Sequence, residues 1–171
     1  MPMDVQAAFL HAYETHADAI FRHCYFRVYH REQARDLMQQ TFLRVWQAIG
    51  QGTEIENLRA FLYKVANNLI IDEARKKREQ VSIEALEESG FEPSSNPRAA
   101  LEKGIDHQAI LPYLDKLDEK HREVVIMRYI DDLSPKEIAE ILGESANVVS
   151  VRLHRAIDKL RRLIPSYVLS L

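Results

Sequence analysis

Apolar residues recur every three or four positions over most of this chain, and each recurrence defines one face of a helix. From about Val5 to Val28 the stripe is Phe9, Tyr13, Ala17, Ile20, Phe21, Cys24 and Val28. From Arg31 to Ile49 it is Ala34, Leu37, Met38, Thr41, Phe42, Val45 and Ile49. Gly50 and Gly52 then interrupt the chain, and Asn57 is placed to cap a third helix, Leu58 to about Arg78. Its buried face is expected to be Phe61, Leu62, Val65, Ala66, Leu69, Ile70 and Ala74. The stretch EESGFEPSSNP (Glu87–Pro97) breaks every helical pattern and reads as linker. Beyond it the periodicity resumes, across Asp106–Leu117 and again from about Asp118 to Tyr129. No run alternates as a strand would. The expectation is an all-α fold with two small helical units, a three-helix unit at 1–78 and a four-helix unit at 106–171, joined by a flexible linker at 79–105.

The last two predicted helices are the most informative. Ser134 is an N-cap candidate, Pro135 suits the first helical position, and Glu137 completes a capping box. Ile138, Ala139, Ile141 and Leu142 give a short apolar stripe, and Gly143 is placed to end the helix in the left-handed conformation. A second helix starts near Ala146, with Val149, Leu153, Ala156, Leu160 and Leu163 on one side. Asn147, Ser150, Val151, His154, Arg155, Asp158 and Arg162 lie on or toward the other, and Arg152 is near the boundary. Two short helices, a tight turn and a basic outer face make a helix-turn-helix. Short polar side chains near the start of its second helix suit base edges, and the Arg and Lys residues suit phosphates. A solvated basic face alone produces the same pattern, so this segment leaves both readings open.

Charge sharpens the picture. The whole chain carries −3, yet from Ser145 onward five Lys/Arg face one acid. Between Glu79 and Asp106 seven acids face two bases, so the acidity is concentrated in and around the linker. A locally basic face steers nucleic acid even when the total is acidic. A single cysteine, Cys24, excludes an internal disulfide and any multi-cysteine zinc site, and it reads as a buried thiol. No apolar stretch approaches the roughly 20 residues a membrane span needs, and the first residues do not read as a secretory signal. A soluble protein of the cytoplasm, with no membrane insertion, is expected.

Four segments together resemble a known family: DLMQQTFLRVW (Asp36–Trp46), NLRAFLYKVANNLIIDEARKKR (Asn57–Arg78), LDKLDEKHREVVIMRYIDDLSPKEIAEILG (Leu114–Gly143) and VRLHRAIDKLR (Val151–Arg161). In this order and spacing they resemble the extracytoplasmic-function group of bacterial sigma factors, in the sigma-70 family. The resemblance covers nearly the whole chain. It implies a transcription initiation factor with a sigma-2-like domain at 1–78, an acidic linker at 79–105 and a sigma-4-like domain at 106–171. Such a factor binds core RNA polymerase, through the β′ clamp helices and the β flap, and directs it to promoters. An anti-sigma protein is a further implied partner. No cofactor and no metal is implied.

The resemblance also assigns roles by position. Asp36, Gln39, Gln40, Phe42 and Arg44 match the segment that docks on the β′ clamp helices. The family often has an acid where Gln40 stands, and core packing is the competing reading of Phe42. The loop from Gly50 to Glu56 and the following helix match the part that captures an extruded base of the minus-10 element, with Asn57, Arg59, Lys64, Asn67, Asn68, Asp72, Arg75, Lys76, Lys77 and Arg78 as candidates. The cations among them suit phosphates, though Arg75–Arg78 equally suit a helix C-terminus. Asn147, Ser150, Val151, His154 and Arg155 match the minus-35 reading face, with Arg152 and Lys159 as phosphate contacts.

Two rival classes remain. A stand-alone helix-turn-helix regulator has no need of Asp36–Trp46 or Asn57–Arg78, and it needs a dimer seam that the pattern lacks. An enzyme needs a nucleophile–base pair, a phosphate loop or a ligand set. The acid pairs Glu87–Glu88 and Asp131–Asp132 lie in the linker and just before a capped helix, and His16 with His23 has no third ligand. No catalytic residue is assigned.

Overall fold

The computed structural model describes residues 3–84 and 111–164. Every regular element among them is helical, in two compact units, Met1–Ala99 and Ala100–Leu171.

In the first unit, α1 (Met3–Val28), α2 (Arg31–Gly50) and α3 (Leu58–Glu84) each pack on the other two. Their core is Ile20, Cys24, Leu37, Val45, Leu62, Tyr63 and Ala66, all buried. Phe9 and Tyr13 of α1 meet Phe42 and Trp46 of α2, with ring centroids 4.7 Å apart for Phe9–Trp46 and for Tyr13–Phe42. His23 is buried, its ring edge-on to Tyr63 at 5.2 Å. Asn57 caps α3 as expected, its Oδ1 accepting from Ala60 N at 3.0 Å. The far end differs from expectation. The helix runs past Arg78 to Glu84, so Arg75–Arg78 occupy its penultimate turns and do not terminate it. A run of cations with unbranched side chains has good helix propensity, and nothing in Glu79–Glu84 breaks it.

In the second unit, α4 (Leu111–Leu114) is what the described residues retain of the expected Asp106–Leu117 helix; residues 106–110 lie outside them. Asp118 caps α5 (Glu119–Val125), which passes into a π-helical turn, Ile126–Ile130. There Asp131 N donates to Ile126 O, five residues back, and Asp132 then turns the chain with φ +54°. The capping box at Ser134 is complete: Glu137 N donates to Ser134 Oγ at 3.2 Å and Ser134 N to Glu137 Oε2 at 2.8 Å. It opens α6 (Pro135–Leu142), which Gly143 closes at φ +67°. Ser145 then caps α7 (Ala146–Leu163). Val149, Leu153, Ala156 and Leu160 of α7 are buried, against α5 and α6. Ile164 is buried as well; Tyr167–Leu171 lie outside the described residues, as does the Glu87–Pro97 linker.

Candidate nucleic-acid interface

Helix α7 turns one side to the core and the opposite side outward. Asn147, Ser150, Val151, His154 and Arg155 are all exposed. The expected reading face therefore stands open over about two and a half turns. Its charges are not all equally available. Arg152 is half-buried and donates to Glu144 at 2.7–2.8 Å across the turn that joins α6 to α7. Lys159 Nζ lies 2.9 Å from Asp118 Oδ2. His154 and Arg161 both face Asp158, at 3.3 and 3.9 Å. Arg155 and Arg162 are exposed.

Asp118 is the hub of a small cluster. Its carboxylate accepts from His121 N as the cap of α5, lies 2.6 Å from the His121 ring nitrogen, and accepts from Lys159. The His121 ring, and after it the Lys159 ammonium, hold the Asp118 carboxyl well below the usual carboxylate range. The cluster binds α7 to α5.

On α3 the sequence candidates separate into two sides. Asn57, Lys64, Asn68 and Arg75 are exposed and fall on one line of the helix, at spacings of seven, four and seven residues. Asp72, half-buried beside them, faces Arg75 at 3.4 Å. Asn67 is turned inward: it is 2% exposed and its Oδ1 accepts from Arg27 Nη1 at 2.9 Å. Arg59 is half-buried, 5.9 Å over the Tyr63 ring. Lys76 and Arg78 are exposed, and Lys77 donates to Gln33 at the start of α2 at 2.9 Å. Ile71, 43% exposed on the Asn68 side of the helix, is an outward apolar residue that sequence periodicity had left unassigned.

On α2 Asp36, Gln39, Gln40 and Arg44 are exposed, whereas Phe42 is buried in the aromatic cluster with Tyr13. Between the polar residues lies Leu43, 55% exposed. Its neighbour Phe42 is 100° away on the helix, so one of the pair faces the core and the other faces out. That rotation was the signal available in the sequence.

Among the described residues no group of three or more His, Cys, Asp or Glu is placed to hold a metal ion. Among them, too, no helix is long and apolar enough to cross a membrane.

These features define a two-unit helical protein whose second unit carries a helix-turn-helix. Comparison with known proteins is consistent across the chain. The family domain described as sigma-70 region 2 matches residues 12–80, and sigma-70 region 4 matches residues 113–162. The extracytoplasmic-function RNA polymerase sigma factor SigL of Mycobacterium tuberculosis is 34% identical over 158 residues, 91% of this chain and 89% of that one. SigW of Bacillus subtilis is 30% identical over 167 residues, 92% of this chain and 89% of that one. BldN of Streptomyces coelicolor is 29% identical over 162 residues, and there the chain spans 61% of the relative's length. Among solved structures, the sigma factor RpoE in complex with the anti-sigma factor NepR from Bartonella quintana has a similar fold (TM-score 0.76, 23% identity, 91% of this chain and 96% of that one). So does CnrH in complex with the cytosolic domain of CnrY (TM-score 0.66, 23% identity, 92% and 88%). The chain belongs to the extracytoplasmic-function RNA polymerase sigma factors.

Proposed function

We propose that this chain is the promoter-specificity subunit of a bacterial RNA polymerase: it binds the core enzyme, places it on promoters through two DNA elements, and assists melting. The observation that carries the reading is the match of both sigma-70 regions within one chain, each on a helical unit with an open polar face. The outer face of α2, with Asp36, Gln39, Gln40 and Arg44 around Leu43, docks on the β′ clamp helices, and the second unit engages the β flap. Asn57, Lys64, Asn68 and Arg75 face the minus-10 element, with Lys76 and Arg78 on phosphates. Asn67 and Lys77 act through hydrogen bonds to α1 and α2, and Arg59 lies over Tyr63 of its own helix. Asn147, Ser150, Val151, His154 and Arg155 face the minus-35 element. Arg152 and Lys159 hold the reading helix in place and reach phosphates only by leaving Glu144 and Asp118.

The chain performs no chemistry of its own in this account; polymerase makes the bonds. It acts in the cytoplasm, where polymerase and promoters are. Two similar folds were solved with a second protein bound, one of them an anti-sigma factor, and an anti-sigma partner is proposed here by that analogy. Gel filtration of the purified chain with bacterial core polymerase tests the reading. Co-elution with core, and promoter-fragment binding only by the complex, is expected. Tight sequence-specific duplex binding by the chain without core overturns it in favour of a stand-alone regulator.

A further inference from the structure

The first two turns of α7 carry three valines at consecutive or near-consecutive positions, and only one of them serves the fold. Val149 is fully buried against the core. Val148 is 45% exposed and Val151 is 43% exposed, on the open side of the helix. Valine is a poor helix former, so neither is explained by helix propensity, and neither is explained by burial. They stand three residues apart, hence side by side on the surface, with Arg155 one turn further along the same ridge. Asn147 and Ser150 flank them. Arg155 on this ridge and Arg162 further along the helix are exposed cations, which suits a polyanion.

A major groove offers an apolar partner of one kind, the C5-methyl group of thymine. A β-branched side chain has a nearly fixed χ1 in a helix, so its methyls are held in place before contact. We propose that Val148 and Val151 read thymine methyl groups in the minus-35 element, and that Arg155, on the same ridge, fixes the register. The inference rests on the assignment of α7 to that element. Side chains at i and i+3 have Cβ atoms about 5–6 Å apart. With base pairs stacked about 3.4 Å apart, the two methyls belong to thymines one or two steps apart.

The test uses holoenzyme, core polymerase plus this chain, on a promoter selected from a fragment library by run-off transcription. Each thymine of the upstream element is replaced in turn by uracil, which keeps every hydrogen-bonding group and removes only the methyl. Promoter occupancy should fall about fourfold at each of one or two positions, the scale of one buried methyl. Val148→Ala and Val151→Ala, whose sites are exposed and whose folding is checked by thermal melting, should weaken binding to thymine DNA and lose the thymine–uracil difference. Equal occupancy of thymine and uracil promoters by the wild-type holoenzyme overturns the methyl reading and leaves the sigma assignment intact. No transcript from any fragment overturns both.

Discussion

Lys159 Nζ donates to Asp118 Oδ2 at 2.9 Å, tying α7 to the cap of α5, 41 residues earlier. Asp118 does two tasks there, as cap and as counter-ion, and substitutions separate them. Asp118→Ala should lower stability by about 1–2 kcal/mol, from a lost N-cap and a lost exposed ion pair. Asp118→Asn keeps a capping oxygen and should cost less, and Lys159→Met should cost no more than about 1 kcal/mol. A double-mutant cycle by urea denaturation checks the coupling.

The Asp118 cluster, through the His121 ring first and Lys159 after it, sets an acid dependence. Because the folded state holds the Asp118 carboxyl below its usual range, its contribution is complete above the unfolded value near pH 3.9. It is lost as the pH falls through the lower folded value. The stability difference between wild type and Asp118→Asn should therefore shrink progressively below about pH 4. Thermal melts at stepped pH measure it; a difference that grows on acidification contradicts the assignment.

Leu43 stands exposed amid Asp36, Gln39 and Gln40 on the outer face of α2. Leu43→Glu should abolish co-elution with core polymerase while leaving the unfolding midpoint within about 0.5 kcal/mol of wild type, as expected for a surface site. Retained co-elution removes Leu43 from the docking face.

Asn67 and Asn68 are adjacent, identical in type, and opposite in placement, one buried and one exposed. Asn67 lies in the interior and accepts from Arg27, a bond whose loss costs about 1.5–3 kcal/mol. Asn67→Ala should be destabilised by that amount. Asn68→Ala should fold normally and initiate poorly, seen as reduced permanganate reactivity of the minus-10 region in promoter complexes.

Gly143 turns between α6 and α7 at φ +67°, and a Cβ there meets nothing within 4 Å. The whole penalty of Gly143→Ala is then backbone conformation, about 1–2 kcal/mol. Gly143→Asn should cost less, because Asn tolerates this region better. Calorimetry of the two variants orders them.

Local signals in the sequence were decisive where the structure is local. Ser134, Pro135, Glu137 and Gly143 act within one helix, and each sits as its chemistry dictates. The stripe of α2 and the open face of α7 follow from helical period alone, whereas on α1 the expected stripe is only partly buried: Tyr13 is 38% exposed, and Ala12, His23, Tyr25 and Phe26, outside that stripe, are buried. What was hidden depends on partners distant in sequence or on subtle register. Nothing in Asn67–Asn68 says which one meets Arg27, 40 residues away. Nothing near Lys159 announces Asp118. The cations Arg75–Arg78 resemble a helix end, but the helix continues to Glu84. The π turn at Ile126–Ile130 adds a residue to a helical turn, which no apolar spacing here betrays. Val148 and Leu43 fall outside the apolar stripes, and the sequence reading assigned them no place although helical rotation points them outward.

The most direct test of the central claim is run-off transcription by purified bacterial core polymerase on a promoter library, with and without this chain. The account predicts transcripts that require the chain and whose templates share two upstream elements, near minus-10 and minus-35. The contradicting result is no chain-dependent transcript with core from the same bacterium, together with specific binding of duplex DNA by the chain alone.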